Sequence, residues 1–410
     1  MDIYLVGGAV RDSLLGKEVR DRDYVIVGAT AEDVARLESE GYAPVGKDFP
    51  VFLHPKTKEE YALARRERKV APGHTGFAVE ASPEITLEED LSRRDLTINA
   101  MAQASDGSLI DPFNGAKDLK AGILRHVSDA FREDPLRVLR VARFAARYDF
   151  QVAWDTFELM RDMVSEGLLE SLSTERVWAE TQKALGEPSP QRYFEILRIT
   201  GALKRLFPEV ACLFGVPQPV EHHPEKDSGV HTLMVLKQAA ALSDDPVVRF
   251  CALVHDLGKG VTPEAELPKH QGHEEAGVAL IEQMSERLRI PTAYRQLGRL
   301  VSQHHLRAHR AFELRAGSVL KVLEALDALK RPERLETFLL ACEADARGRL
   351  GREDHPYPQA EVFRVALSAA KSVDAKPLAA QGYGGAKLGE LLRAGRIRAI
   401  KKAVSAIRPA

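Results

Sequence analysis

At 410 residues, with 44% hydrophobic and 29% charged side chains, the chain has the length for about two to four domains with substantial cores. Its 58 Lys and Arg nearly balance 60 Asp and Glu, giving a formal net charge of -2, so a global basic field is excluded and any nucleic acid must be held by a local patch. The three cysteines, Cys212, Cys251 and Cys342, lack metal spacing and suit a reducing cytoplasm; with no signal segment or long apolar run, secretion and membrane spanning are not expected.

Up to about residue 125, short β-rich runs ("DIYLVGG", "DYVIVG", "VFLHP", "EEYALAR", "GSLIDP") alternate with Gly, Pro and Asp turns and helical pieces. From "DPLRVLRVARFAARY" onward the apolar residues recur at helical spacing, through "WDTFELMRDMV", "RVWAETQKAL" and "YFEILRITGAL". A Pro-rich break, "FGVPQPVEHHPEKDSG", precedes a histidine-rich helical region, and "GREDHPYP" makes a further joint. The expected class is α+β: a small mixed-sheet head at 1–125, a helical neck and body at 126–215, a second helical domain at 228–350 and a helical tail at 351–410.

Within "YLVGGAVRDSLLGKEVRDRDYVIVG", Gly7 and Gly8 allow a tight turn into a short helix whose first amides can face a phosphate. Asp21 and Asp23 are two apart and, in a strand, project from one face. Such a carboxylate pair calls for a hard cation such as Mg²⁺; without one it is a charged turn in solvent. Further on, Arg137, Arg140, Arg143 and Arg147 share one arc of a predicted helix and Val138, Val141, Ala142 and Ala145 another, so one side reads as core and the other as cationic.

"GGAVRDSLLG", "DRDYVIVG", "RRDLTINAMA", "DPFNG" and "EDPLRVLRVARFAARY", in this order, resemble the class II tRNA nucleotidyltransferases, and most closely the bacterial CCA-adding enzymes that carry an HD domain. The resemblance runs over essentially the whole chain. It implies a nucleotidyltransferase head in which Asp21 and Asp23 are catalytic Mg²⁺ ligands, Gly8 and Arg11 lie near the triphosphate, Arg94 contacts the nucleotide and Asp95 lies near its sugar. Glu59 and Glu60 both remain candidates for a third carboxylate. Asp134 and Arg137 become a protein template for the bases of CTP and ATP, because a carboxylate accepts from the exocyclic amine that cytosine and adenine share and an arginine donates to ring acceptors. Arg140 and Arg143 become phosphate or base contacts. "ERKVAPGHTGFAVEASPEIT" corresponds to a flexible loop that helps change specificity from CTP to ATP, or is a disordered surface loop.

His231, His255, Asp256 and a later acid, Asp345, resemble the HD phosphohydrolase pattern, with His255 and Asp256 catalytic and all four residues holding a transition metal such as Ni²⁺. His270, His273, His304 and His305 are candidates to line the same pocket, each read individually as a surface or outer residue, and Lys259 is a candidate phosphate contact. The resemblance therefore implies template-independent addition of CCA to a tRNA 3′ end from CTP and ATP, with phosphohydrolase activity (2′,3′-cyclic phosphodiesterase, 2′-nucleotidase, phosphatase) in the HD domain, in a cytoplasmic monomer or homodimer free of membrane. The alternatives are a poly(A) polymerase of the same superfamily and an HD hydrolase with an RNA-binding head. The tail "GGAKLGELLRAGRIRAIKKA" reads as a basic amphipathic helix that faces solvent or touches the tRNA backbone.

Overall fold

A computed structural model describes residues 1–19, 21–45, 51–69, 77–221 and 223–407. It divides into two compact units, Met1–Glu180 with Ile196–Arg205, and Thr181–Glu195 with Leu206–Ala410.

In the first unit the chain order is β1 (Asp2–Val6), α1 (Gly8–Leu14), β2 (Asp23–Val27), α2 (Ala31–Ser39), β3 (Ala43–Val45), β4 (Val51–Leu53) and β5 (Glu60–Leu63). A hairpin, β6 (Arg65–Lys69) and β7 (Phe77–Ala81), then precedes α3 (Leu87–Ser92), β8 (Ala102–Gln103), β9 (Leu109–Ile110), α4 (Gly115–Ala121) and, at the end of this unit's sheet region, α5 (Leu136–Tyr148). Seven strands form one mixed sheet in the order β3-β4-β5-β2-β1-β8-β9. β2 is antiparallel to β1 but parallel to β5. Val6, Val25, Ala64, Ile85, Leu91, Ala100 and Ala102 form the core against the sheet; burying each larger aliphatic side chain contributes roughly 1.5–3 kcal/mol over leaving it in water.

The segment expected to be a loop contains paired strand: β6 and β7 pair antiparallel from Arg65 opposite Ala81 to Lys69 opposite Phe77. Its tip, 70–76, lies outside the described residues. Helix α5 buries Val138, Leu139, Val141, Ala142, Ala145 and Ala146, and it stops at Asp149, whose φ of 55° is left-handed.

The second unit is helical. Its histidine-rich part consists of the helices Ser228–Leu242, Pro246–Val254, His273–Arg287, Thr292–His309 and Pro332–Arg347. One buried cluster runs from Cys251 through Phe338 and Phe363 to Ile400 and Val404, so the basic tail helix, Gly385–Ser405, contributes to that core through its apolar face. A Cβ on Gly258 would stand 1.9 Å from the His273 carbonyl oxygen and 2.6 Å from the Gly277 nitrogen, so only glycine lets the turn after Asp256 lie against the His273–Arg287 helix. The three cysteines are free. Among the described residues no helix is long and apolar enough to cross a membrane.

Candidate active sites in the two units

Asp23 opens β2 and stands in register opposite Glu60 at the start of β5. Residues paired across neighbouring strands share a face, so these two carboxylates project together. Asp21 lies just before the strand, and all three residues are exposed. Glu59 is committed elsewhere: its carboxylate accepts from the Thr57 hydroxyl at 2.8 Å, and its carbonyl accepts from the His54 amide at 2.9 Å. Crowding by protein raises the Asp23 pKa; Arg94 opposes the rise and the charge of Asp21 adds to it. A carboxylate crowded by protein and by a neighbouring carboxylate is the kind of donor that a hard divalent cation relieves.

Arg94 lies beneath this edge, with Nη2 3.4 Å from the fully buried Asp90 and its Nε buried without a hydrogen-bond partner. Gly7 makes room for it. A Cβ on Gly7 would lie 2.8 Å from Arg94 Nη1, and the residue's φ of 69° is one that glycine adopts freely.

The remaining sequence candidates form a connected ionic string. Arg11 is 4% exposed and donates to Asn99 Oδ1 and, at 2.9 Å, to Asp12. Asn99 donates to Asp95 at 2.9 Å, and Arg140 reaches the other Asp95 oxygen at 2.7 Å. Gly8 is close by; a Cβ there would meet Arg11 Nη2 at 3.4 Å. Arg143 pairs with buried Glu180, Arg147 lies 3.6 Å from Asp12, and Arg137 donates to the carbonyls of Ala130 at 2.7 Å and Arg93 at 2.6 Å. The cationic face of α5 is thus ion-paired, with Arg143 buried and Arg140 and Arg147 partly exposed, because Asp12, Asp95 and Glu180 arrive from distant parts of the chain. Asp134 accepts from the Leu136 amide at 3.1 Å and from Arg176 at 2.8 Å. Asp90, Asn99, Arg176 and Glu180 were not singled out by the sequence; Arg176 and Glu180 are revealed by pairing with Asp134 and Arg143, far off along the chain.

In the second unit His231, His255, Asp256 and Asp345 converge, each no more than 3% exposed. His231 Nε2 is 3.1 Å from Asp345 Oδ1, and His255 Nε2 is 3.1 Å from Asp256 Oδ2 and 3.7 Å from Asp345 Oδ1. His273 and His305 join them, 3.3 and 3.5 Å from Asp256 Oδ1. Of the other sequence candidates, His270 bonds through its ring to Thr262 and the Pro217 carbonyl, and His304 belongs to no metal-competent group among the described residues. His309 was missed, although it follows His305 at helical spacing; its Nε2 lies 2.6 Å from Asp345 Oδ2, with the Tyr357 hydroxyl 3.1 Å from its Nδ1.

The rings are held in one common way. Nδ1 of His255, His273 and His305 faces the carbonyl oxygens of Ala252, His270 and Ser302 at 2.8, 2.6 and 2.9 Å, and Nδ1 of His231 faces that of Gly348 at 3.1 Å. A carbonyl oxygen only accepts, so Nδ1 of each ring carries a proton and Nε2 is the atom turned to the cluster. There the Nε2 atoms meet carboxylate oxygens, and His231 Nε2 hydrogen-bonds Asp345 at 3.1 Å. His255 Nε2, Asp256 Oδ1 and His273 Nε2 are indeed buried without hydrogen-bond partners. Burial works against the charge of Asp256 and Asp345, yet His255 with Lys259, and His255 with His309, hold the two well below the usual carboxylate range. Convergent buried imidazole nitrogens and carboxylate oxygens of this kind fit a divalent transition ion.

Three family models match the chain: a poly A polymerase head domain at residues 3–125, a probable RNA and SrmB-binding site of polymerase A at 149–213, and an HD domain at 229–347. A multifunctional CCA protein from Nitrosococcus oceani is 60% identical over 404 residues, 98% of this chain and 99% of its own. A CCA-adding enzyme solved with CTP superposes with a TM-score of 0.66 at 20% identity, covering 98% of this chain and 87% of that one. The Thermotoga maritima CCA-adding enzyme solved with tRNA also gives 0.66, at 21% identity, covering 100% and 88%. At such identities the structural likeness speaks to the fold alone.

Proposed function

The chain belongs to the multifunctional CCA protein family, and from that premise we propose how its residues divide the work. The enzyme is a tRNA nucleotidyltransferase that adds CCA with CTP and ATP and carries an HD domain. The observation that carries the site assignment is the register of Asp23 opposite Glu60, with Asp21 alongside and Arg94 beneath. Asp21, Asp23 and Glu60 would hold Mg²⁺. When bound, it supplies the positive charge that favours ionisation of the attacking hydroxyl and departure of pyrophosphate. The tRNA 3′ oxygen bonds to the α-phosphorus of the nucleotide as the bond to the β-phosphate oxygen breaks.

Arg94 presents an unpartnered Nε and faces the acidic edge, which suits a contact to the triphosphate. Arg11, Asn99, Asp95 and Arg140 hold the first turn of α1 to α5. Asp134 and Arg137 have the chemistry to read the base edge, and both have protein partners in this structure. Base reading on this account is an exchange: Asp134 leaves Arg176 for the exocyclic amine, and Arg137 leaves carbonyl oxygens for ring acceptors.

In this reading the HD pocket hydrolyses phosphate esters; His231, His255, Asp256 and Asp345 would hold a transition ion such as Ni²⁺, which would supply the positive charge that acidifies a water. Lys259, 2.5 Å from Asp256 and bonded to Gln218, supplies further positive charge for a phosphate. A cytoplasmic location and action as a monomer or homodimer complete the reading.

The test is to incubate purified protein with Mg²⁺, CTP, ATP and a tRNA lacking its 3′ terminus, then sequence the products. Products ending in CCA are expected. A long A tract would assign a poly(A) polymerase, and an unextended tRNA alongside phosphoester hydrolysis would leave only the hydrolase.

A further inference from the structure

We propose that the hollow between the helix Ala316–Ala325 and the tail helix Gly385–Ser405 binds a small amphiphilic anion, an anionic head on an aliphatic chain. None of the residues that line it belongs to either candidate active site.

The hollow has a volume of about 570 Å³, inside the range of roughly 300–1,000 Å³ in which proteins hold small molecules. Two helices build it. Arg315, at the N-cap of the first, and Lys321, within it, stand on one side; Arg393, Ile397, Lys401 and Val404 make one stripe of the tail helix on the other. The floor is aliphatic: Val319 and Val404 belong to the buried core, and Leu314 and Ile397 pack against it. Gly317 puts no side chain into the space, and the nearest atom to a Cβ built on it is Ile397 Cδ1, 3.8 Å away.

Charge decides the class of ligand. Four cations line the hollow and no carboxylate does, in a chain whose formal net charge is -2. Arg393 lies 3.3 Å from Glu324, whereas Arg315, Lys321 and Lys401 have no ion-pair partner among the described residues. Like charges around a concave wall focus a positive potential into it, which an anion relieves.

The floor then separates one kind of anion from another. No aromatic ring is there for a base to stack on and no carboxylate to accept from a base amine, so a nucleotide would engage only through its phosphates. A phosphodiester strand repeats its charge along its length and has little aliphatic surface to set against Val319, Ile397 and Val404. An aliphatic chain with one anionic head uses both halves of the site: its methylenes leave water against the floor, and its head meets the unpaired cations beside the Ser318 and Ser405 hydroxyls. The dissolved amphiphile is the occupant, because the cations ring a recess instead of flanking an exposed apolar face that could enter a bilayer.

Binding of decanesulfonate, butanesulfonate and decyltrimethylammonium to the full-length chain is measured by isothermal titration calorimetry below the micellar range; a sulfonate cannot be hydrolysed as a phosphate ester. One decanesulfonate per chain is expected, tighter than butanesulfonate by about fourfold for each methylene that the floor buries, with no binding of the cation of equal chain length. Arg315→Glu combined with Lys401→Glu should weaken decanesulfonate at least tenfold while CCA addition and the melting temperature stay as in the parent. Equal affinity for the two chain lengths, binding of decyltrimethylammonium, or an affinity unmoved by the charge reversals would overturn the site. So would displacement of decanesulfonate by tRNA with a matching loss of tRNA affinity in the variant, which would assign the hollow to the RNA backbone. Sedimentation with phosphatidylglycerol vesicles that the variant loses would overturn it in favour of a membrane surface. The comparison of chain length and head charge in the parent decides the matter even where the variant folds poorly.

Discussion

Adjacent glutamates can have unrelated jobs when a strand begins between them. Glu59 closes a turn through Thr57, and Glu60 falls into register with Asp23. Glu60→Gln should therefore lower nucleotide addition by roughly a hundredfold or more, about 3 kcal/mol of lost stabilisation, with Glu59→Gln close to wild type in single-turnover assays. Equal effects from the two would remove Glu60 from the site. Asp134 allows a second comparison, because its contact is an arginine that the nucleotide must displace. Asp134→Ala should weaken the preference for CTP and ATP over UTP and GTP by about 1–3 kcal/mol, the value of a good base contact. Arg176→Ala should leave that preference in place, since it removes the resting partner and spares the reader. Competition assays with all four nucleotides check both, and unchanged selectivity in Asp134→Ala would make that residue structural.

At the scale of elements, α5 is fastened to the head by charges it draws from far along the chain. Burial opposes the ionisation of Asp95, but Arg140 and then Asn99 overcome it and hold the carboxyl below the usual range. The unfolded chain takes up that proton near pH 3.9. A folded-state pKa below this value means stabilisation that is present above about pH 4 and is lost as pH falls through the lowered folded value. Asp95→Asn should accordingly flatten the acid dependence of the urea midpoint between pH 5 and 3, and parallel slopes in mutant and wild type would show that Asp95 does not supply it. This fastening also marks how far the sequence was legible. Apolar spacing located α5 closely, but a local pattern shows only that arginines share a face; whether that face meets water or Asp12, Asp95 and Glu180 depends on contacts that no helical window contains. The β6–β7 hairpin was hidden because charged and small residues replace the usual alternation of its strands, whereas β1 and β2, with their aliphatic runs, were visible. In the HD pocket the His-Asp pair announced itself, but sequence could not separate His273 and His305 from His270 and His304; their approach to Asp256 does.

At the scale of the whole molecule, the two donor sets belong to different compact units and differ in chemistry: exposed carboxylates in one, buried imidazoles with carboxylates in the other. Hard oxygen donors suit Mg²⁺, and imidazole-rich sites prefer later transition ions. Nothing in the residue assignments makes one activity depend on the other. His255→Ala should therefore abolish hydrolysis of 2′,3′-cyclic phosphates and phosphomonoesters while CCA addition proceeds with Mg²⁺, and Asp23→Ala should do the reverse. The environment of His231 extends the prediction to metal affinity. Its Nδ1 lies 3.0 Å from Glu225, which in turn is 2.8 Å from His223, so an outer carboxylate fixes the ring that points Nε2 at the cluster. Loss of such outer support typically weakens metal binding about 10–100-fold. Glu225→Ala should raise the Ni²⁺ concentration needed for half-maximal hydrolysis by that factor, with saturating Ni²⁺ restoring the rate and the Mg²⁺ dependence of CCA addition unchanged. A loss of CCA addition in folded His255→Ala protein, or a Glu225→Ala defect that excess Ni²⁺ does not repair, would mean that the two chemistries are coupled or that Glu225 does more than orient His231.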